Sequence, residues 1–112
     1  MQNYSLLTLT EMASAAVTAN RFVTTAGAVA GAGENTLGVA RTAAAAGEKF
    51  PVDVLGTAIV ESGAAVAKGD VLKSDATGRA ITWATSGAKV AIARQAATAA
   101  GQMIEVLLVP NV

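Results

Sequence analysis

The sequence contains no cysteine and no histidine, and aromatic side chains are few. Without cysteine no disulfide or thiolate metal site can form, and without histidine the commonest metal ligand and general base are missing. The acidic residues fall on different predicted elements, and no two are marked as a catalytic pair. The residues therefore give no sign of a catalytic or metal-binding site. A small hydrolase whose acids converge in the fold stays open as an alternative.

A surplus of one charge is also missing, because eight basic and eight acidic residues give a formal net charge of zero. The charges are scattered singly, so no basic surface for nucleic acid or an anionic membrane is expected. No apolar run reaches the ~20 residues that a membrane-spanning helix needs. Residues 1–20 contain no Lys or Arg ahead of an apolar stretch, so we also expect no signal peptide.

What the sequence has in abundance is alanine. At 112 residues it is long enough for one domain, and hydrophobic residues make up 53% of it. Alanine removes little surface from water, at about 25 cal/mol per Å², so the core is thin for its length. Small chains with thin cores often gain stability by association, and a neutral chain lacks charge repulsion against it. We therefore expect a homo-oligomer.

Two segments of the sequence run in parallel, and the chain is organised around them. They are residues 37–61, LGVARTAAAAGEKFPVDVLGTAIVE, and residues 90–109, VAIARQAATAAGQMIEVLLV. Each has an apolar entry, an Ala-Arg pair, an Ala/Thr run, a Gly followed by Glu or Gln, and a second apolar run. Alternating apolar residues bounded by Gly are typical of half-buried strands. The pattern predicts a strand–loop–strand unit that is used twice.

The remaining patterns predict an all-β domain, mainly strand with at most one or two short helices. Short apolar runs recur about every ten residues with Gly turns between them, which is typical of a barrel or sandwich. The N-terminal residues 1–19 are expected to form an extended arm and a short helix over 11–19, and residues 20–112 a single β-barrel. The predicted core consists of Phe50, Val52, Val54, Ile59, Val71, Trp83, Ile92, Ile104 and Val106.

Two candidate sites stand out. Arg41 and Arg94 occupy matching places in the two parallel segments. Each is expected either to bridge to a carboxylate at a subunit or partner contact, or to be a solvent-facing strand residue. Lys73 follows an apolar-Gly-Asp-apolar run of the kind found in lipoyl and biotinyl carrier domains. It lies between Leu72 and Ser74, which fits neither attachment motif, so a carrier module with Lys73 as the attachment lysine is the alternative function.

The order of short motifs resembles a known family, the tailed-phage capsid decoration (cement) proteins, which are similar in fold to the lambda-type head decoration proteins. The resemblance covers roughly residues 20–109. It is carried by GVA at 38–40, AAAGE at 44–48, PV at 51–52, Gly56, AKGDVL at 67–72 and DATGRA at 75–80.

The resemblance implies a small β-tulip-like barrel with no active site and no cofactor, so we expect a protein that is not an enzyme. It also implies a virion protein on the outer surface of an icosahedral capsid, made in the bacterial host cytoplasm, that stabilises contacts between major capsid protein subunits. A homotrimer is implied, with a dimer as the alternative. Residues 2–9 precede the region of resemblance and are rich in strand formers. We expect them either to leave the barrel as a free arm that completes a partner's sheet, or to pair within their own barrel. The predicted partner-binding residues are Gln2, Asn3, Tyr4, Ser5, Leu6, Leu7, Thr8, Leu9, Arg41 and Arg94.

Overall fold

The computed structural model of the protein describes residues 4–109, and within this range it contains strands and no helix. This confirms the all-β prediction. The strands are β1 (Ser5–Met12), β2 (Phe22–Val23), β3 (Gly38–Ala40), β4 (Lys49–Glu61), β5 (Val71–Ser74), β6 (Ala80–Thr82), β7 (Ala91–Ala93) and β8 (Met103–Leu108).

All strand pairs are antiparallel, and the long strand β4 connects them. The order across the sheet is β2-β3-β4-β8-β7-β5-β6, and β1 also pairs with β4. The first half of β4 pairs with β1 and β3, and its second half pairs with β8. The two ends of the sheet approach each other, because the Phe22 N–H donates to the Gly78 carbonyl at 2.8 Å and the Gly33 N–H to the Ser74 carbonyl at 2.9 Å. The result is a nearly closed barrel.

The predicted repeat is present, and it extends over the whole described chain. We call residues 5–53 the first repeat and residues 54–109 the second repeat. The backbone bonds of one recur in the other: the Ala13 N–H donates to the Glu48 carbonyl at 2.8 Å, and the Ser62 N–H to the Gln102 carbonyl at 2.7 Å. Matching positions include Val17 and Val66, Val23 and Leu72, Leu37 and Val90, Ala40 and Ala93, Ala44 and Ala97, Phe50 and Ile104, and Val52 and Val106.

The loops explain why the repeat could be recognised in the sequence. Gly47 and Gly101 both have φ of +87°, a conformation that favours glycine, and so both loops turn at the same point. The next side chain closes each loop: the Glu48 carboxylate accepts from the Ala45 N–H at 2.7 Å, and the Gln102 side-chain oxygen accepts from the Thr98 N–H at 2.8 Å. The second loop spans one residue more, which accounts for the offset between the parallel segments.

Each repeat buries one face of its strands, which we call the inner face. In the first repeat this makes a small cluster of Ala13, Val17, Val23, Ala40, Ala44, Phe50 and Val52. In the second repeat, the matching residues Val66, Leu72, Ala93, Ala97, Ile104 and Val106 belong to a larger cluster. Phe22 and Val39 join that larger cluster from the opposite, outer face of the first repeat. The first repeat therefore stacks its outer face on the inner face of the second.

Ion pairs join the two repeats at the closure of the barrel. The Glu61 carboxylate at the end of β4 accepts from Arg21 at 3.2 Å and lies 3.5 Å from Arg79. Arg79 also lies 3.4 Å from the Asp75 carboxylate in the β5–β6 turn. Burial raises the pKa of Asp75, but the Arg79 and Thr77 N–H groups, the Thr77 hydroxyl and the Arg79 charge outweigh it. The pKa is therefore lowered from its ordinary value of 3.8.

The short helix predicted over 11–19 is wrong. β1 runs to Met12, and Val17 instead forms a two-way backbone bridge with Ala44. The helix was predicted from alanine propensity, which is a weak preference that tertiary pairing overrides.

The core prediction is correct for Phe50, Val52, Ile104 and Val106, which are buried. The other five predicted core residues are only half-buried: Val54, Ile59, Val71, Trp83 and Ile92. Ile59, Val71 and Ile92 alternate with the buried Val60, Leu72 and Ala91, so they lie on the outer face of the sheet.

Candidate partner-binding surface

Strand β1 is the most exposed strand in the described structure. Its residues Leu6, Leu7 and Leu9 and its last residue Met12 are all exposed, and Leu6 leaves 82% of its surface in contact with solvent. Tyr4, directly before the strand, is 62% exposed. Large apolar side chains gathered on one strand typically mark a site of protein interaction.

Only one edge of β1 is paired with a strand in the described part of the chain, and its partner is β4. On the other edge the Gly27 backbone packs against the Met12 carbonyl, so the open part of that edge lies before Met12. The Ala13 N–H donates to Glu48 of the neighbouring chain segment, so alternation directs the Glu11 N–H toward β4 and the N–H groups of Thr10 and Met12 away from it. An edge strand of this kind, with exposed leucines and neither Lys nor Pro to block it, is a template for another strand.

Side chains and a glycine hold β1 in place on β4. The Tyr4 N–H donates to the Thr57 hydroxyl at 2.7 Å, and the Thr57 N–H donates to the Tyr4 carbonyl at 2.9 Å. Gly56 has φ of +94°, and a side chain there would overlap the Tyr4 carbonyl oxygen. The start of β1 therefore depends on close backbone approach, and the pairing register shifts at this point.

The Thr8 hydroxyl links β1 to a buried acid. It donates to the Asp53 carboxylate at 2.9 Å, and the Arg41 Nε lies 3.3 Å from the other Asp53 oxygen. Asp53 is almost fully buried, while the Arg41 side chain is 45% exposed. A buried carboxylate needs such partners, because an unpaired one would be costly. Sequence reasoning missed Asp53, since an acid between two valines in a strand gives no sign of its partners.

Arg94 is placed similarly, but its partner is not the matching residue. Its guanidinium donates to the buried Glu105 carboxylate at 3.0 Å, and its side chain is 49% exposed. In the first repeat the position of Glu105 is occupied by Pro51, and the position of Asp53 is occupied by Leu107 in the second. Each arginine thus bridges to a carboxylate of its own chain and keeps about half of its side chain in solvent. A further bridge to a partner stays a prediction.

The predicted binding residues Tyr4, Ser5, Leu6, Leu7, Thr8 and Leu9 lie together on or beside β1. Arg41 is linked to this strand by Asp53, which contacts both Arg41 and Thr8. Gln2 and Asn3 lie outside the described residues. Ser5 to Leu9 pair with β4 of their own chain, which was the alternative to a free arm. Addition of this strand to a partner's sheet stays a prediction.

Sequence reasoning missed a second exposed apolar group on the outer face of the barrel. Val71 lies opposite Ile92, Ile92 opposite Leu107, and Leu107 opposite Thr57, so these residues form one row across β5, β7, β8 and β4. We call Val71, Ile92 and Leu107 the outer row. Leu107 is exposed and the other two are half-buried. The sequence did indicate this group, because apolar residues stand at both odd and even positions of these strands. Val71 and Ile92 were instead predicted to belong to the core.

Lys73 does not lie where a carrier domain needs its lysine. It sits inside β5 opposite Ile81, is half-buried, and donates to the Ser86 carbonyl at 3.1 Å. A carrier lysine must instead stand at the tip of a hairpin. In residues 4–109 no group of acids is placed to hold a metal ion. The same residues include no helix that is long and apolar enough to cross a membrane.

Comparisons with known proteins agree on the class of molecule. A search of curated protein sequences finds no match. Among solved structures, the fold is similar to the head fiber gp8.5 N base of bacteriophage phi29, with a TM-score of 0.74 and 20% sequence identity over 92% of this chain and 93% of that one. A family model described as phage cement protein matches residues 1–108. The chain therefore belongs to the phage cement protein family, a family of structural virion proteins and not of enzymes.

Proposed function

We propose that the protein decorates the outer surface of a tailed-phage icosahedral capsid and stabilises contacts between major capsid protein subunits. The observation that carries the proposal is β1, an edge strand with exposed leucines in a member of the cement protein family. A protein that joins subunits needs an adhesive surface and no reaction chemistry, and β1 supplies such a surface.

The grip would come from strand addition. The N–H and C=O groups on the free edge of β1 can pair with a strand of the major capsid protein, while Tyr4 and Leu6 contact pockets beside it. Main-chain pairing supplies affinity, and the side chains select the partner. Leu6 suits this contact because it is the most exposed large apolar side chain of the described residues.

Stabilisation would follow from mass action. A protein that binds only the expanded shell shifts the equilibrium toward that shell by its differential binding free energy. Many copies act on one shell, so modest contacts at each site add up to a large effect. Zero net charge suits a layer in which copies lie close together. We retain the homotrimer, with the dimer as alternative, as part of this proposal.

The test blocks the free edge of β1 without removing a backbone hydrogen bond to β4. Because the Thr10 N–H points away from β4, Thr10→Pro removes a donor from the free edge only, and edge strands tolerate proline. We expect a folded protein that co-sediments with expanded capsids at least about tenfold more weakly, since one blocked edge removes several backbone bonds. Thr10→Ala is the matched control and should bind like the parent. Full decoration by Thr10→Pro would exclude strand addition at this edge, and failure of the parent to bind capsids would exclude the function itself.

A further inference from the structure

The two repeats make one large contact within the chain, and this contact joins two different faces. The outer face of the first repeat, with Phe22 and Val39, packs into the cluster formed by the inner face of the second repeat. The inner face of the first repeat is buried in its own cluster except at β1 and at Leu37 beside it. The faces left over are the inner side of β1 in the first repeat and the outer face of the second.

The outer row is the counterpart of the face that makes this contact. Val71 matches Phe22 and Ile92 matches Val39, and each pair is aligned in the same register: Phe22 opposite Val39, and Val71 opposite Ile92. Phe22 and Val39 are fully buried by the second repeat. Val71 and Ile92 are half-buried, since no repeat within the described residues stacks on them.

The inner side of β1 is the counterpart of the face that receives the contact. Leu9 lies opposite Val52 and matches Ala58, and Glu11 lies opposite Phe50 and matches Val60. Ala58 and Val60 are fully buried, whereas Leu9 is 40% exposed. Leu37 is half-buried and packs against the first cluster, while its match Val90 is buried. We call Leu9, Glu11 and Leu37 the inner opening.

We infer that two copies of this chain associate head to tail, with the outer row of one copy covering the inner opening of the next. The contact repeats between copies the packing that already joins the repeats within one copy. The charges also match. Glu11 is the acidic residue of β1, whereas Lys73 follows Val71 by two positions and so flanks the outer row on its own face. Arg94 flanks the row beside Ile92, where it already pairs with Glu105 of its own chain.

This contact is independent of any capsid and differs from the use of the β1 edge proposed above. Leu9 and Glu11 point to the inner side of β1, whereas the N–H groups of Thr10 and Met12 lie on its edge. Contacts between unlike surfaces close into a ring when the rotation between copies allows it, and otherwise extend into a filament. A discrete ring is the expected product, and the trimer predicted above is one such ring.

The experiment uses two variants that block opposite surfaces. Leu9→Lys blocks the inner opening and leaves the outer row intact, whereas Ile92→Lys blocks the outer row and leaves the opening intact. Each alone should be monomeric at concentrations where the parent is oligomeric, with association at least about a hundredfold weaker. Mixed together, they should form a one-to-one dimer through the one remaining pair of intact surfaces. Sedimentation velocity and native mass spectrometry measure both results.

Controls separate this contact from other causes. Met103 lies on β8 on the same face as Leu107 and is equally exposed, at 41% against 42%, but it lies outside the row. Met103→Lys should therefore leave the oligomer unchanged. Circular dichroism checks folding, and Leu107→Lys replaces Ile92→Lys if the latter does not fold. A monomeric parent, a single variant that keeps the parent's oligomer, or a mixture that stays monomeric would each overturn the inference. Capsid binding plays no part in these outcomes.

Discussion

The first repeat and the second repeat share a backbone plan but differ in what covers them. Val60 and Glu11 occupy matching places, yet Val60 is fully buried and Glu11 is a charged residue at a half-open position. Phe22 and Val71 also match, yet Phe22 is fully buried and Val71 is half-buried. The sequence differences therefore follow the environment of each repeat and not the plan that they share.

This difference explains how a thin core can be sufficient. Stacking one repeat on the other buries one inner and one outer face, and the barrel then closes through the ion pairs of Arg21, Glu61 and Arg79. The inner side of β1 and the outer face of the second repeat stay partly exposed. In the proposed role of capsid decoration, those uncovered faces are available for binding, and the stability that they add is gained only on assembly.

The largest effect is expected from giving the second repeat the residue of the first at the matched position. Val60→Glu places an unpaired carboxylate in the larger cluster, at a cost of several kcal/mol against a total stability of roughly 5–15 kcal/mol. We expect the variant not to fold, as measured by circular dichroism and thermal melting. The converse variant Glu11→Val should fold and melt at or above the parent's temperature. A cooperative melt of Val60→Glu near the parent's temperature would contradict the assignment of inner faces.

Parts of this comparison could be predicted from the sequence. The loops that contain Gly47 and Gly101 share a glycine and a closing Glu or Gln, because the backbone of the loop requires both. This half of the repeat can therefore be recognised in the sequence. The other half is not. β1 and the second half of β4 perform the same role, but one is exposed and the other is buried, and their side chains have diverged accordingly.

The faces of the strands could not be assigned for a related reason. In β5 and β7 apolar residues stand on both parities, Val71 beside Leu72 and Ile92 beside Ala91, so alternation does not say which side is inner. The core prediction included Val71 and Ile92, and these belong to the outer row. Apolar residues on both faces of a strand indicate two covered faces, and the second cover can come from another molecule.

A smaller effect is expected from truncating matched residues of the two outer faces. Phe22→Ala should cost about 3–5 kcal/mol because it leaves a cavity in the larger cluster. Val71→Ala should cost about 1 kcal/mol or less, since its side chain is half in solvent. Urea unfolding measures both, in the background of Leu9→Lys so that association does not contribute. Equal losses at the two positions would mean that the outer row is already covered within one copy.

The outer faces of the two repeats also differ at one matched position, where the first repeat has Asp53, paired with Arg41, and the second has Leu107. Arg41→Met leaves the buried Asp53 carboxylate with the Thr8 hydroxyl as its side-chain partner, and should cost about 1–2 kcal/mol because Arg41 itself is half exposed. Replacing the acid by its counterpart in the second repeat, as in Arg41→Met with Asp53→Leu, should recover most of that loss. Urea unfolding of the double variant decides the point, and strictly additive losses would contradict the pairing.

The smallest effect on stability is expected from Asp75 in the β5–β6 turn. Its carboxylate pairs with Arg79, which also pairs with Glu61 where the two repeats meet. The pKa of Asp75 is lowered in the folded protein, so its carboxylate adds stability above its ordinary pKa of 3.8, and this stability is lost as the pH falls below that value. Asp75→Asn keeps the size of the side chain and removes the titration. The free energy of unfolding should therefore fall less steeply for Asp75→Asn than for the parent between pH 4 and the acid limit, while the two curves run parallel near neutral pH. Thr24→Ser serves as a control, because Thr24 opens the matching turn of the first repeat without an acid. An identical acid dependence in parent and Asp75→Asn would show that Asp75 carries no part of the acid sensitivity of this junction.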